Sequence, residues 1–173
     1  MATISLCMIV KNEERVLSRC LDSVAGLVDE MVIVDTGSTD ATKAVALAYT
    51  DRVYDFVWRD DFASPRNYSF SLGKMHYLMW LDADDVLLPA DREAFLDLKR
   101  GLSPDVDVVM MPYHSGLDGA GRPVFTCYRE RVVRNLGRDL WEGVVHEAIA
   151  PFGRVIWSKA AVTHQKEGAG DPD

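Results

Sequence analysis

Apolar residues along this chain fall into two alternating rhythms. Residues 4–10 and 31–34 are short, nearly continuous apolar runs, the mark of strands buried on both faces. Between them Val16, Leu17, Cys20, Leu21 and Val24 repeat at helical spacing. Thr36-Gly37-Ser38-Thr39-Asp40 then reads as a turn, whose Ser, Thr or Asp can cap a helix running through Ala48. A third strand over residues 52–58, a short helix over 65–72 and a fourth strand over 77–81 follow. Strands alternating with helices predict a mostly parallel sheet, flanked by helices and joined by right-handed crossovers. Pro89 suits the first turn of a helix reaching about Leu102. Beyond it the alternation stops, and residues 106–111, 124–134 and 155–162 read as strands separated by turns. The fold class is therefore α/β, with a smaller mixed region beside the central sheet. One domain is expected over residues 1–165, in two halves (1–90 and 91–165), followed by a tail at 166–173.

Composition narrows the class. A chain of 173 residues can bury a core without needing disulfides or a metal simply to fold. Its 19 Lys and Arg against 27 Asp and Glu leave a net charge of −8 and no basic stripe, which argues against nucleic acid as a partner. No apolar run approaches the roughly 18–20 residues of a membrane span. Met1-Ala2-Thr3 leads straight into a strand without the basic and apolar regions of a secretory signal. Cys7, Cys20 and Cys127 are odd in number, lack metal-type spacing and are expected as reduced thiols. A cytoplasmic protein is expected, with peripheral attachment to a membrane left open.

Ligands of open parallel sheets bind at the carboxyl ends of the strands. Three such ends are polar here: Lys11-Asn12-Glu13-Glu14, Asp35, and Asp82-Ala83-Asp84-Asp85. In an extended segment Asp82 and Asp84 point the same way. Like charges that close favour a divalent cation between them and a substrate phosphate, Mn2+ or Mg2+. Asp85 reads as the N-cap of the next helix.

These blocks, Ile4-Ser5-Leu6-Cys7-Met8-Ile9-Val10-Lys11-Asn12-Glu13-Glu14, Val32-Ile33-Val34-Asp35-Thr36-Gly37-Ser38-Thr39-Asp40 and Trp80-Leu81-Asp82-Ala83-Asp84-Asp85, resemble family 2 glycosyltransferases in order and spacing. Asp61-Phe62-Ala63-Ser64-Pro65-Arg66-Asn67 is similar to that family's Phe-x-x-x-Arg-Asn stretch. The resemblance is strong over residues 4–90 and thinner afterwards. It implies the GT-A fold, a Rossmann-like, mostly parallel sheet with an acceptor-side region. It also implies a nucleotide-sugar site in which Val10, Asn12, Glu13 and Asp35 hold base and ribose, the Asp35 carboxylate accepting a uracil N3–H. Arg66 would approach the base or the phosphates, with a salt bridge to Asp60 or Asp61 as its competing role. Asp40 is read as bracing its own loop. Asp82 and Ala83 would face the donor, Asp82 meeting the ribose or a metal-bound water. Asp84 would ligate the metal on the diphosphate, and His164 would complete that site, with His146 as rival.

The family's usual Glu-Asp pair for the general base is missing from the second half. Glu147, in Val145-His146-Glu147, is the candidate in its place, with Glu142 second. Trp141 is read as core in preference to a sugar platform, and His76 and His114 as structural. Arg129, Arg131 and Arg134 are expected along one strand face, neutralising diphosphate or pairing with acids at the surface. The resulting expectation is metal-dependent, inverting transfer from a nucleotide-sugar to an acceptor hydroxyl. UDP is favoured through Asp35, with GDP and dTDP open. A binding subunit or remnant without its own acceptor site is the alternative. A nucleotidyltransferase is disfavoured, because no Gly-rich basic loop follows the first strand.

Overall fold

The computed structural model describes residues 1–166, so the expected tail lies outside the described residues apart from Lys166. β1 (Ile4–Val10) pairs in parallel with β2 (Glu30–Asp35) on one side and with β4 (Tyr77–Met79) on the other. β3 (Val53–Asp55) lies parallel to β2 at the edge. All but Ile9 of β1 is buried, as its apolar run requires. α1 (Leu17–Val24) and α2 (Thr42–Leu47) bury Leu17, Cys20, Leu21, Val24 and Ala46 in one core with Leu6 and Met8. α3 (Ala63–Leu72) packs Phe70 on the opposite face, with Cys7, Val32 and Leu78.

The second half enters the same sheet. β6 (Val108–Leu117) and β7 (Pro123–Arg134) form a long antiparallel hairpin, and β7 runs antiparallel to β4. The order is β3-β2-β1-β4-β7-β6-β11-β5, where β11 is Val162–His164 and β5 is Asp85–Val86. α4 (Pro89–Gly101) has Pro at its start, as expected, and buries Phe95 beneath the α1 side. A two-stranded ribbon, β8 (Trp141–Glu142) with β9 (Ala148–Ile149), lays Trp141 and Ile149 on the α3 side.

Two expectations change. The single strand over residues 155–162 is two: β10 (Val155–Trp157) pairs with Val108–Met110 of β6, and β11 pairs with Tyr113–Ser115. Between them the chain leaves the sheet, and Ala161 N–H donates to Asp91 of α4 at 2.9 Å. Asp85 is also not a helix cap. Leu88 holds that position without a side-chain hydrogen bond, while Asp85 is fully buried in β5.

Candidate active site

The carboxyl ends of β1, β2 and β4 open on a cleft of about 640 Å³. Val10, Lys11 and Glu13 line it from β1, Thr36 from β2, and Asp82, Ala83 and Asp84 from the segment after β4. The second half contributes Glu147 and His164, while Trp58 and Phe62 close the α3 side with Arg66. Of the residues singled out in the sequence, Val10, Glu13, Arg66, Asp82, Ala83, Asp84, Glu147 and His164 therefore meet in one place.

Asn12 and Asp35 are placed differently. Asn12 sits at the rim of an adjoining hollow with a left-handed backbone (φ 53°) and accepts the Thr39 N–H at 2.8 Å. That bond knits the loop after β1 to the loop after β2. Asp35 is buried at the end of β2, where Oδ1 accepts the N–H groups of Gly37 (2.9 Å) and Ser38 (2.8 Å). Its Oδ2 is buried without a hydrogen-bond partner. Asp40 braces its loop, accepting the Thr42 N–H at 3.0 Å ahead of α2.

A second set of unsatisfied atoms lies beside the cleft. Asp84, Asp85 and His164 bring ligand atoms within 4.8 Å of one another. His164 Nδ1 is 3.4 Å from Asp84 Oδ1 and 3.6 Å from Asp85 Oδ1, and neither Nδ1 nor Asp85 Oδ1 has a hydrogen-bond partner although both are buried. Burial raises the Asp84 carboxyl above the usual range, and the charges of Asp85 and Asp82 add to the rise against His164. The Asp85 carboxylate raises His164 above the ordinary imidazole value, against burial and with help from Asp84. Two carboxylates and an imidazole, crowded and unsatisfied, are a donor set that fits Mn2+ or Mg2+. The sequence pointed to Asp84 and His164 here; it missed Asp85, whose acidic neighbours made it look like a solvated cap.

Arg66 has neither Asp60 nor Asp61 as partner. It is buried against the indoles of Trp80 and Trp141, with its guanidinium carbon 4.9 and 4.8 Å from the ring centroids. Nε donates to Glu147 Oε1 and one terminal nitrogen donates to Asp82 Oδ1, both at 2.8 Å. Burial works to raise the Asp82 carboxyl, but Arg66 holds it below the usual range. Trp141 is core, as expected, packed edge-on to Trp80 and Phe70. Glu142 and His146 are exposed and do not line the cleft.

The three arginines of β7 do not form a row. Arg131 is fully buried on Asp85 at 3.0 Å, Arg134 pairs with Asp107 at 2.7 Å, and Arg129 reaches its neighbour Glu130 at 3.3 Å. Neither surface pairing nor a free cation describes Arg131. His114 bonds Thr126 and His76 is exposed, both away from the cleft. Trp58, Phe62 and Thr36 were not singled out. The first two stand at or just before the Arg-Asn stretch, which was the available signal.

A mostly parallel sheet with an acid-lined cleft at its strand ends is the architecture of GT-A glycosyltransferases. Glucosyl-3-phosphoglycerate synthase from Mycobacterium tuberculosis, solved with Mn2+, UDP-Glc and phosphoglyceric acid, aligns at a TM-score of 0.53. It is 25% identical, over 65% of this chain and 44% of that one. The chain belongs to glycosyl transferase family 2, whose profile matches residues 5–154. It is similar to the lipopolysaccharide core biosynthesis glycosyltransferase LpsC of Rhizobium meliloti (strain 1021), 31% identical over 88% of this chain and 58% of LpsC. It is 27% identical to the SPbeta prophage-derived glycosyltransferase SunS of Bacillus subtilis (strain 168), over 84% of this chain and 34% of SunS. A TPR repeat-containing protein of Synechococcus elongatus is 40% identical over 59% of this chain and 25% of its own length. The chain thus spans 25–58% of the length of these relatives. Among the described residues no helix is long and apolar enough to cross a membrane.

Proposed function

We propose that this chain carries out metal-dependent, inverting transfer of a sugar from a nucleotide-sugar, UDP-linked by preference, to an acceptor hydroxyl. The observation that carries the reading is the meeting, in one cleft, of an arginine-held carboxylate with Asp84 and His164, the cleft-lining members of a crowded Asp-Asp-His group. Residues 1–90 supply the donor side and residues 91–165 the acceptor side.

Glu147 acts as general base. With Oε1 engaged by Arg66, the carboxylate takes the acceptor proton through its other oxygen. As the O–H bond breaks, the acceptor oxygen forms its bond to the anomeric carbon and the bond to the nucleotide diphosphate breaks. One displacement converts an α-linked donor into a β-linked product. Asp84 and His164 would hold Mn2+ or Mg2+, which supplies Lewis-acid stabilisation of the departing diphosphate. Asp85 would complete that group. Acceptance of the uracil N3–H by Asp35 requires the loop after β2 to part, because its unpartnered Oδ2 is buried and outside the cleft lining; Val10 and Glu13 stand beside the ribose, with Asn12 fixing the loops around it. Free Cys7, Cys20 and Cys127 suit a cytoplasmic place of action.

The partial span of the relatives supports a second reading, a nucleotide-sugar binding unit whose acceptor site is completed by further protein. Calorimetric titration of UDP, GDP, dTDP and ADP, with and without Mn2+, on wild type and Asp84→Ala tests the donor site. Manganese-dependent UDP binding that disappears in the variant is expected. A folded wild type that binds none of the four removes the donor-site assignment. Binding without any release of UDP from UDP-glucose, to water or to acceptors, would favour the second reading.

A further inference from the structure

We propose that Arg66 is a positioning residue for glycosyl transfer, fixing the carboxylate of Glu147 in its working orientation and tying it to Asp82 on the donor side. The inference rests on the reading of Glu147 as the base.

Glu147 belongs to a segment with little of its own to hold it. Gly143, Val144, Val145 and His146 are exposed, and the chain turns through left-handed conformations at Gly143 (φ 101°) and His146 (φ 59°). A positive φ at a non-glycine residue is uncommon and needs surrounding structure to maintain it. That structure comes from the start of α3. Phe62 N–H donates to Val144 O at 3.2 Å. Asn67 accepts the N–H groups of Leu140 (3.1 Å) and Trp141 (2.9 Å) and donates to Trp141 O (3.0 Å). These bonds fix the backbone. Arg66, between Phe62 and Asn67 on the same helix, fixes the side chain.

The guanidinium is unusually well suited to this task. The guanidinium is itself planar, and two indole rings standing edge to face at 78° wall one side of it. Within that plane two of its nitrogens reach Glu147 and Asp82 at the same 2.8 Å. Burial works against the charge of Arg66, and the two carboxylates more than offset it, so the cation persists. A lysine would keep the charge but not the planar fork, nor the stacking. Removing the fork leaves Glu147 free to rotate about its side-chain bonds. A displacement of about 1 Å in a reacting group can cost roughly 10²-fold in rate.

The test measures Mn2+-dependent release of UDP from UDP-glucose with water as acceptor, in wild type, R66K, R66Q, E147Q and R66Q/E147Q. R66Q is expected to lower kcat by roughly 10²-fold, with KM for UDP-glucose and the Kd for UDP held within about threefold. R66K should recover only part of that loss. In the E147Q background R66Q should cost nothing further, because the group it positions is gone. An R66Q kcat within threefold of wild type, or the same full loss added on top of E147Q, overturns the proposal while leaving the functional reading intact. E147Q at the wild-type rate overturns the base assignment and this proposal with it. Absence of Mn2+-dependent turnover in folded wild type overturns the functional reading. Should R66Q fail to fold, judged by near-ultraviolet circular dichroism of Trp80 and Trp141, R66K carries the same decision: unchanged kcat refutes the proposal.

Discussion

Replacing Arg131 with methionine puts the most deeply buried ion pair among the described residues to a quantitative test. Arg131 is 1% exposed and Asp85 is fully buried, with Arg131 Nη1 at 3.0 Å from Asp85 Oδ2. The guanidinium carbon lies 3.9 Å from the Trp80 ring centroid and 4.8 Å from that of Tyr113. Methionine fills most of that space, and its sulfur contacts the rings in place of the lost cation, returning ~0.3–1.5 kcal/mol. The cavity cost is therefore small, and the charge cost dominates. Asp85 retains one donor on Oδ2, the Asp82 N–H at 2.9 Å, and in the metal-free protein loses its permanent counter-ion, leaving only the titratable His164 imidazole 3.6 Å from Oδ1. Removing one partner of a buried pair typically costs about 3–5 kcal/mol, against a total domain stability of roughly 5–15 kcal/mol. With a urea m-value of about 2 kcal/mol/M, the unfolding midpoint should fall by roughly 2 M. Arg131→Met combined with Asp85→Asn should recover more than ~1 kcal/mol relative to the sum of the single changes. A loss below about 1 kcal/mol in the single variant, or plain additivity in the pair, would refute the reasoning. The pair also bears on the site, because Asp85 N–H donates back to Asp82 O and so shapes the turn that presents Asp82 and Asp84.

Two further outcomes follow from packing and burial. A Cβ added at Gly73 would come within 2.5 Å of Leu78 Cδ2 and 3.1 Å of Cys7 Sγ, so Gly73→Ala should destabilise by about 1–3 kcal/mol. Calorimetry should show this as a Tm lowered by roughly 2–4 °C per kcal/mol, and an unchanged or higher Tm would contradict it. Burial pushes the Cys7 thiol up to about 12, and burial with the nearby Asp85 and Asp82 pushes Cys20 well above its ordinary value. At pH 8 only on the order of one Cys7 in 10⁴ is then thiolate, so a disulfide reagent should modify half-buried Cys127 first and the other two only on unfolding. Rapid modification of two or three thiols in the native protein would count against that burial.

The first ninety residues are legible because parallel strands buried on both faces must be written as unbroken apolar runs. Their ends then mark themselves, since polar residues such as Asp35 or Asp82 cannot continue a buried run without a partner. The gathering of Asp84, Glu147 and His164 was reachable only through resemblance, because no periodicity links residues 17–80 positions apart. Arg66 shows where resemblance itself falls short. Its motif was visible, but not the two indoles or the carboxylate 81 positions later that decide what it does.

Asp85 and Arg131 failed for a sharper reason. An aspartate after two others reads as solvated, and an arginine two positions from another reads as sharing its face. In β7 that count breaks down. Val109 faces Val132 while Met110 faces Glu130, leaving Arg131 as one residue too many for its partner strand. Such a bulge changes the parity of every residue beyond it and re-aims the extra side chain. Here the extra side chain is an arginine turned toward Trp80 and Asp85. The buried charge of Asp85 and the turn that carries Asp82 and Asp84 therefore depend on an irregularity in a strand that begins 38 residues later. Hydrophobic patterning along either segment alone has no term for it. Only the pairing of β6 with β7 does, which is why the donor-side carboxylates could be found in the sequence while their support could not.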